Sequence, residues 1–296
     1  MSEKTLNETI CLKQYISEKE YKEINQLKEL CCSQDKTNLK LELDYKINMK
    51  RNSEIGLKNI NEFLYYIDDI LVAYLGISSY GGSNIGEING MTHPDWRRKG
   101  VFKKLFVFAM EQCKGRSFNK ILLLTDGNSS SGIEFIKTAN GSYDFSEYRM
   151  KLLSKAFSES LSSIILRKAE KLDRKEIARQ NAIYFNDSEA CEGFPEEEDN
   201  LNEVTYMVEL KEEIIGKIRV EYNDNSAFIY GFGILPDFRG KGYGKAALKE
   251  ALRIINEKSI YEIELDVECK NSTALNLYKD CGFEEKSVVN YYKYNL

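Results

Sequence analysis

The chain has 296 residues, of which 42% are hydrophobic and 30% charged, and its formal net charge is −5. These values are ordinary for a globular protein of two domains. The negative charge argues against nucleic-acid binding, and the longest apolar runs are too short to span a bilayer. The chain has seven cysteines, which form no C-x-x-C pair, and its amino terminus lacks a charged-then-apolar leader. We therefore expect a cytoplasmic protein with reduced thiols.

The predicted elements run in the same order through both halves of the chain. Each half reads as a strand, helical material, three consecutive strands, a glycine turn with a long helix, a strand, a short helix and two final strands. In the second half the three strands cover 204–210, 214–221 and 227–235, and the long helix buries an apolar stripe from Ala247 to Ile255. The pattern predicts a mixed α/β (α+β) fold with two domains, 1–156 and 157–296.

The two glycine turns indicate that one unit occurs twice. Pro94 and Pro236, Arg97 and Arg239, and Gly100 and Gly242 are each 142 positions apart. Further on, Asn271 follows Asn128 by 143 positions, and Tyr278 follows Phe135 by the same interval. The spacing predicts a duplication whose register slips by one residue after the long helix.

The second turn, residues 231–244, is typical of a pyrophosphate site. Glycines at 240, 242 and 244 let backbone amides converge at the start of a helix. A Walker A loop is excluded because Ala246 stands where serine or threonine would hold magnesium. A dinucleotide fold is excluded because the glycines read G-x-G-x-G and follow several antiparallel-looking strands.

Two motifs together point to one family. Residues 239–244 read R-G-K-G-Y-G, and Asn271, Ala274, Tyr278, Gly282 and Phe283 follow with the spacing N-x-x-A-x-x-x-Y-x-x-x-G-F. These motifs resemble the acetyl-CoA-binding segments of the GCN5-related N-acetyltransferase (GNAT) superfamily. The resemblance covers the second half and, less faithfully, the first. It implies two tandem GNAT-like domains, each with a central, mostly antiparallel twisted sheet flanked by helices.

The resemblance implies acetyl-CoA as co-substrate, with the pyrophosphate on the glycine turn and the pantetheine arm along the preceding strand. No metal is expected, since the histidine and cysteines lack ligand spacing. The residues that the resemblance assigns to acetyl-CoA are Phe232, Gly233, Ile234, Arg239, Gly240, Lys241, Gly242, Tyr243, Gly244, Lys245 and Asn271.

The same resemblance makes Tyr278 the proton donor to the departing thiolate. Asp266 is the candidate base, twelve residues before Tyr278, although a structural acid is an equal alternative. Glu264 and Glu268 share its strand face, so this carboxylate cluster could instead recognise a cationic acceptor. The acidic run at 195–199 could attract the same kind of acceptor, although a solvated acidic loop is the more common meaning of such a run.

The first half departs from both motifs. Phe102 replaces the last glycine of the turn, and Phe135, which cannot donate a proton, stands where Tyr278 stands in the second half. We therefore expect a degenerate N-terminal domain with a structural or acceptor-shaping role and a catalytic C-terminal domain.

The predicted function is an acetyl-CoA-dependent N-acetyltransferase that acts on a primary amine of a small molecule or peptide. One alternative is a non-catalytic, CoA-responsive regulatory protein. Another is an acyltransferase that uses a different acyl group or a hydroxyl acceptor.

Overall fold

The computed structural model describes residues 6–49, 59–79, 84–116, 118–153, 164–185 and 202–296. The chain forms two compact units: an N-terminal unit of residues 1–146 and 287–296, and a C-terminal unit of residues 147–286. The domain boundary predicted between residues 156 and 157 and the acidic run at 195–199 lie outside the described residues.

The N-terminal unit is a sheet in the order β1-β2-β3-β4-β5-β12 with helices packed on it. β4 and β5 run parallel, and the other neighbouring strands run antiparallel. Its core joins strand residues such as Phe63 and Leu75 to Leu105 and Ala109 of the long helix. The elements are β1 (Glu8–Lys13), α1 (Glu18–Asp35), α2 (Leu43–Asn48), β2 (Glu62–Ile67), β3 (Ile70–Ser78), β4 (Ile85–Thr92), α3 (Val101–Lys114), β5 (Lys120–Asp126) and α4 (Ser130–Thr138), together with the carboxyl-terminal part of β12 (Phe283–Tyr294).

The C-terminal unit repeats this plan in the order β6-β11-β10-β9-β8-β7. β10 and β11 are parallel, and the other neighbouring strands are antiparallel. The elements are β6 (Ser142–Leu152), which belongs to this unit from Glu147, β7 (Ile164–Lys168), α5 (Arg174–Phe185), β8 (Glu203–Leu210), β9 (Glu213–Tyr222), β10 (Ser226–Ile234), α6 (Tyr243–Glu257), β11 (Glu262–Glu268) and α7 (Ser272–Asp280).

Helix α6 forms one side of the core of the C-terminal unit. The predicted stripe is confirmed, since Ala247, Leu248, Ala251, Leu252 and Ile255 are all buried. The predicted mixed α/β class, with mostly antiparallel sheets flanked by helices, is confirmed as well. Within the part of the chain that the structure describes, no helix is both long and apolar enough to cross a membrane.

Candidate active site

Strand β10 changes its pairing partway along its length. Its register with β9 shifts between Tyr230 and Gly233, and Gly231 in this bulge has a φ of 57°. Glycine suits the bulge because a positive φ is strained for residues that carry a Cβ. The pairing of β10 with β11 ends at Ile229, although β10 continues to Ile234. The last part of β10 therefore has an edge that does not pair with β11.

This edge contains Phe232, Gly233 and Ile234, the predicted partners of the pantetheine arm. An extended arm that carries amides can pair with a free strand edge through backbone hydrogen bonds. Gly233 must stay small, because an added Cβ would lie 2.4 Å from a ring carbon of Tyr184. The edge thus provides the kind of surface that the predicted arm needs.

The turn after β10 is fixed to the end of that strand. The Nε atom of Arg239 donates a hydrogen bond to the Ile234 carbonyl at 2.8 Å. Gly240 and Gly242 have φ values of 74° and 81°, and a Cβ at either position would meet no atom within 4 Å. Glycine is therefore favoured at both positions by the backbone conformation and not by crowding.

The turn presents a row of backbone donors at the start of α6. From Gly240 to Lys245, no amide donates a hydrogen bond to another group of the described chain, and the first paired amide is that of Ala246, to the Gly242 carbonyl at 3.1 Å. The amides of a first helical turn and the helix dipole together favour a bound anion. We call residues 240–245 the cradle; its geometry suits a pyrophosphate.

The side chains of the two cradle lysines each bind an oxygen atom of the same unit. The Nζ atom of Lys241 donates to the Asp237 carbonyl at 2.9 Å, and Lys245 forms an exposed ion pair with Asp280 at 2.9 Å. The hydrogen bond that Lys245 donates to the Asp280 carboxylate raises the pKa of Lys245. The Lys245 side chain is therefore positively charged beside the cradle at neutral pH.

The first residues of α6 connect the cradle to the core. Tyr243 packs against the apolar cluster that contains Ile234 and Ala247. An added Cβ at Gly244 would come within 3.3 Å of Leu277, because α6 and α7 approach each other closely at this point. Gly244 therefore serves helix packing.

Asn271 begins α7. Its side-chain oxygen accepts a hydrogen bond from the Ala274 amide at 3.1 Å, which is a common way to satisfy a free amide at a helix start. The motif resemblance assigned Asn271 to acetyl-CoA. The observed contact is the helix cap.

Tyr278 lies on the buried side of α7. Its side chain is 8% exposed, and its ring packs edge-on against Phe283 with ring centroids 6.1 Å apart. The hydroxyl makes no hydrogen bond to any group that the structure describes. Burial, with a smaller contribution from Cys281, raises the pKa of Tyr278 to about 12. The hydroxyl is therefore protonated at neutral pH and can donate a hydrogen bond to a ligand.

Asp266 is held by an ion pair. Arg149 donates to its two carboxylate oxygens, from Nε at 2.7 Å and from Nη2 at 2.9 Å. The same arginine lies 3.7 Å from Glu264, which also pairs with Lys286 at 2.6 Å. Two members of the predicted carboxylate cluster are thus neutralised by cations of the protein, whereas Glu268, the third, is exposed.

The N-terminal unit repeats the backbone conformation of the turn and the bond made by its arginine. Arg97 donates from Nε to the Thr92 carbonyl at 3.1 Å, and the amide of Lys104 is the first to bond, to the Gly100 carbonyl at 3.1 Å. Arg98 has a φ of 64° and Gly100 one of 78°, which matches the two glycines of the cradle. The turn therefore has the same backbone geometry in both units.

A cavity of about 580 Å³ lies beside this N-terminal turn. Its lining comes from α1, β4, β5, the turn, α3 and α4, and includes Asp35, Gly100, Phe102, Ser129 and Phe135. The pairing of β4 with β5 ends at the fourth pair although β4 continues, which opens the sheet there. The volume is typical of a small-molecule site.

The helix caps correct one prediction from the sequence. Ser129 accepts from the Gly132 amide at 3.2 Å, just as Asn271 caps α7, and these two caps are 142 positions apart. The one-residue slip predicted after the long helix is therefore wrong, because α4 and α7 begin and end at the original offset. The counterpart of Tyr278 is Ile136, a buried core residue, rather than Phe135.

Sequence reasoning missed two residues of the site. Lys217 of β9 is fully buried, and its Nζ atom donates to the Gly231 carbonyl at 3.0 Å. Tyr184 of α5 contacts this ammonium and the guanidinium of Arg239 through its ring, at 5.8 and 6.0 Å from the ring centroid. The alternation of polar residues along β9 was the available signal for Lys217.

No three His, Cys, Asp or Glu side chains of the described segments cluster as metal ligands would.

Comparisons with known proteins agree with this geometry. A 69-residue stretch is 41% identical to the uncharacterized N-acetyltransferase YycN of Bacillus subtilis, and the match spans 23% of this chain and 44% of that relative. The GCN5-related N-acetyltransferase from Sphaerobacter thermophilus superposes with a TM-score of 0.72 at 15% identity, over 96% of this chain and 95% of its own. The tandem GNAT protein from the clavulanic acid biosynthesis pathway gives 0.65 at 12% identity, over 97% and 98%. At 15% and 12% identity, these two structural matches show the fold alone.

The family model supplies the assignment. The model of the Acetyltransferase (GNAT) family matches residues 25–139 and again residues 174–283, which together make up more than half of the chain. One match falls on the elements of each unit. The chain therefore belongs to the Acetyltransferase (GNAT) family and contains the domain of that family twice.

Proposed function

We propose that the protein transfers an acetyl group from acetyl-CoA to a primary amine of a small molecule or peptide, with the chemistry in the C-terminal unit. The observation that carries this proposal is the Tyr278 hydroxyl, which is buried, protonated and available as a donor. The N-terminal unit has Ile136 at the same place, so it lacks this donor.

The binding part of the proposal rests on the cradle and the open edge of β10. The cradle amides from 240 to 245 suit the pyrophosphate, and the backbone from Phe232 to Ile234 suits the pantetheine amides. Arg239 holds these two surfaces together through its bond to the strand end. Acetyl-CoA supplies the acyl group as a thioester.

Acetyl transfer needs a proton donor for the departing thiolate and a base for the amine. Tyr278 donates a hydrogen bond to the departing sulfur, which favours thiolate release. Asp266 stays a prediction as the base that accepts the proton of the amine. Its ion pair with Arg149 supports a structural role, because protonation of the carboxylate would weaken that pair.

The N-terminal unit supports a second proposal, that it binds acyl-CoA without catalysing transfer. Its turn repeats the cradle, and a cavity of about 580 Å³ lies beside it. On this proposal the unit has lost the proton donor but kept a place for the phosphates. A CoA-responsive regulatory protein would use both units in this way, which is why this alternative is kept.

Calorimetry and thiol release together test these proposals. We expect acetyl-CoA to bind the full chain, and thiol release to begin when a suitable amine is added from a panel of amino acids, polyamines, aminoglycosides and peptides. Binding without release for any amine or alcohol acceptor would favour the regulatory protein, and no binding would contradict both proposals. A stoichiometry of two would support binding in the N-terminal unit, and a stoichiometry of one would contradict it.

Three finer points stay predictions from the sequence. They are the acyl chain length, the choice of an amine over a hydroxyl acceptor, and the cytoplasmic location. A comparison of acetyl-CoA with longer acyl-CoA donors in the same thiol-release assay tests the first.

A further inference from the structure

The last two turns of α1 contact the N-terminal glycine turn. Asp35, the final residue of α1, binds Arg97 through both carboxylate oxygens, which accept from Nη1 at 2.9 Å and from Nη2 at 2.7 Å. The Cys31 thiol donates to the Thr92 carbonyl at 3.5 Å, and the same carbonyl accepts from the Nε atom of Arg97. Cys31 and Asp35 are four residues apart, so they share one face of α1. We call this pair of residues the latch.

The matching arginine of the C-terminal unit has no carboxylate partner. Arg239 makes the same bond from Nε to the end of its strand, at the Ile234 carbonyl, and its guanidinium lies 6.0 Å from the centroid of the Tyr184 ring. Among the described residues, no carboxylate pairs with Arg239. The two turns therefore share a backbone geometry but differ in charge, because Asp35 neutralises the arginine of the N-terminal turn.

The cavity beside the N-terminal turn contains buried polar atoms that lack partners. Asn89 and Thr92 line this cavity together with Asp35 and Arg97. Asn89 is 8% exposed, and its side-chain amide donates to the Lys40 carbonyl. The Oδ1 atom of Asn89 and the Oγ1 atom of Thr92 make no hydrogen bond to any group that the structure describes. A buried polar atom without a partner costs free energy, so the cavity favours a ligand with N–H or O–H groups, such as the amides of a pantetheine arm.

A phosphate at the N-terminal turn would compete with Asp35. The amides from Arg98 to Lys103 make no hydrogen bond within the described chain, so they favour an anion as the cradle does. Carboxylate and phosphate bind a guanidinium through the same donors, and Arg97 has both of its terminal nitrogens on Asp35. The Arg97 and Asp35 side chains are each 25% exposed, so the repulsion between two anions there is only partly screened by solvent.

We propose that the latch is an autoinhibitory contact: acyl-CoA binds the N-terminal unit only after its phosphates displace the Asp35 carboxylate from Arg97. This inference rests on the proposed binding of acyl-CoA by the N-terminal unit, and it adds how that binding is regulated. The N-terminal unit is then the weaker of two acyl-CoA sites. It fills only when the acyl-CoA concentration is well above the concentration that saturates the cradle.

Hydrogen–deuterium exchange on the full chain reads the two turns separately. Acetyl-CoA is titrated while mass spectrometry follows the peptides that cover residues 97–104 and the cradle. We expect the N-terminal turn to reach half of its protection at a concentration at least about 10-fold higher than the cradle does. Once this turn is protected, the amides at residues 32–36 should exchange at least about 3-fold faster, because the end of α1 has lost its anchor. Protection of the turn without faster exchange at 32–36 would overturn the latch.

Two substitutions at Asp35 test the role of its charge. Asp35→Asn should lower the concentration that half-protects the N-terminal turn by at least about 10-fold, because the competing anion is gone, and should change the value for the cradle by less than about 3-fold. Asp35→Glu keeps the carboxylate and should stay closer to the parent protein. Glu29→Gln removes a negative charge from the exposed face of α1 and is the matched control. If Asp35→Asn needs as much acetyl-CoA as the parent protein, or more, the latch is wrong.

The same data separate the latch from the proposals on which it rests. Exchange in strands β2 and β3 verifies that each variant is folded, and the exchange at 32–36 is measured on the parent protein itself. If the N-terminal turn is protected as readily as the cradle and Asp35→Asn changes nothing, the unit binds acyl-CoA without a latch. If acetyl-CoA protects this turn neither in the parent protein nor in Asp35→Asn, binding by the N-terminal unit fails and the latch fails with it. Thiol release tests transfer in the C-terminal unit independently of both outcomes.

Discussion

Arg239 donates from Nε to the Ile234 carbonyl at 2.8 Å, and this single bond connects the cradle to the open end of β10. Arg97 makes the same bond to Thr92 in the N-terminal unit. The arginine therefore has a structural role, because its guanidinium orients the turn. This role is separate from any contact that the guanidinium makes with phosphate.

Loss of this bond should weaken acetyl-CoA binding. We expect Arg239→Gln to raise the Kd by about 10-fold or more, because a hydrogen bond from a charged group contributes about 1.5–3 kcal/mol. Calorimetry measures the Kd, and Arg253→Gln on the exposed face of α6 is the control. An unchanged Kd in Arg239→Gln would show that the turn holds its shape without the arginine.

Gly242 should be intolerant of a side chain although the space around it is open. Its φ is 81°, so Gly242→Ala should lower the free energy of unfolding by about 1–2 kcal/mol through backbone strain. Gly115 is the matched control, because its φ of −76° is helical and an added Cβ would make an ordinary contact at 3.6 Å. Denaturant unfolding measures both variants, and equal effects at the two sites would contradict the explanation.

Lys217 should make stability depend on pH. Its lowered pKa of about 7 means that, between about pH 7 and pH 10.4, the unfolded chain binds a proton that the folded chain does not. Stability contributed by this group therefore rises with pH across that window and is lowest below pH 7.

The variant Lys217→Met removes this proton linkage. We expect it to raise the free energy of unfolding by about 2–4 kcal/mol at pH 6, and by less at pH 9, because the cost of a buried charge disappears while the bond to Gly231 is also lost. Denaturant unfolding at the two pH values measures the difference. A variant less stable than the parent protein at pH 6 would show that the ammonium is well solvated or paired.

Asp266 should matter more for stability than for turnover. Asp266→Asn breaks a part-buried bidentate pair with Arg149, so we expect the free energy of unfolding to fall by about 1–3 kcal/mol. Turnover per folded molecule should stay within about 3-fold of the parent value, well short of the effect of losing a base. A loss of about 100-fold or more, together with loss of the acidic limb of the pH profile, would establish Asp266 as the base.

The sequence predicted the turns well because their determinants are local. Gly240 and Gly242 were assigned from the chemistry of glycine alone, and both adopt the positive φ that the turn requires. The apolar stripe of α6 was equally readable, since helical spacing fixes which residues face the sheet.

The partners of the site residues could not be predicted in the same way. Arg149 and Asp266 are 117 positions apart in sequence, and their pairing depends on the antiparallel register of β6 with β11. The burial of Lys217 likewise depends on α5 and β10 packing around β9. The slip error arose because an asparagine was matched with an asparagine, although the helix cap is Ser129 in one unit and Asn271 in the other.

The proposed transfer depends on Tyr278 as the proton donor, and Tyr278→Phe tests that role. In the described parts of α4 and α7, the counterpart of Tyr278 is Ile136, which has no hydroxyl. The variant keeps the ring that packs on Phe283 and removes only the hydroxyl. Tyr261→Phe, which alters an exposed tyrosine of the same unit, is the control.

The measurement is the turnover number for thiol release from saturating acetyl-CoA, with the acetyl-CoA Kd determined in parallel. We expect Tyr278→Phe to lower kcat by about 10²- to 10⁴-fold while the Kd stays within about 3-fold of the parent value. An unchanged kcat in folded Tyr278→Phe would contradict it and remove Tyr278 from the chemistry.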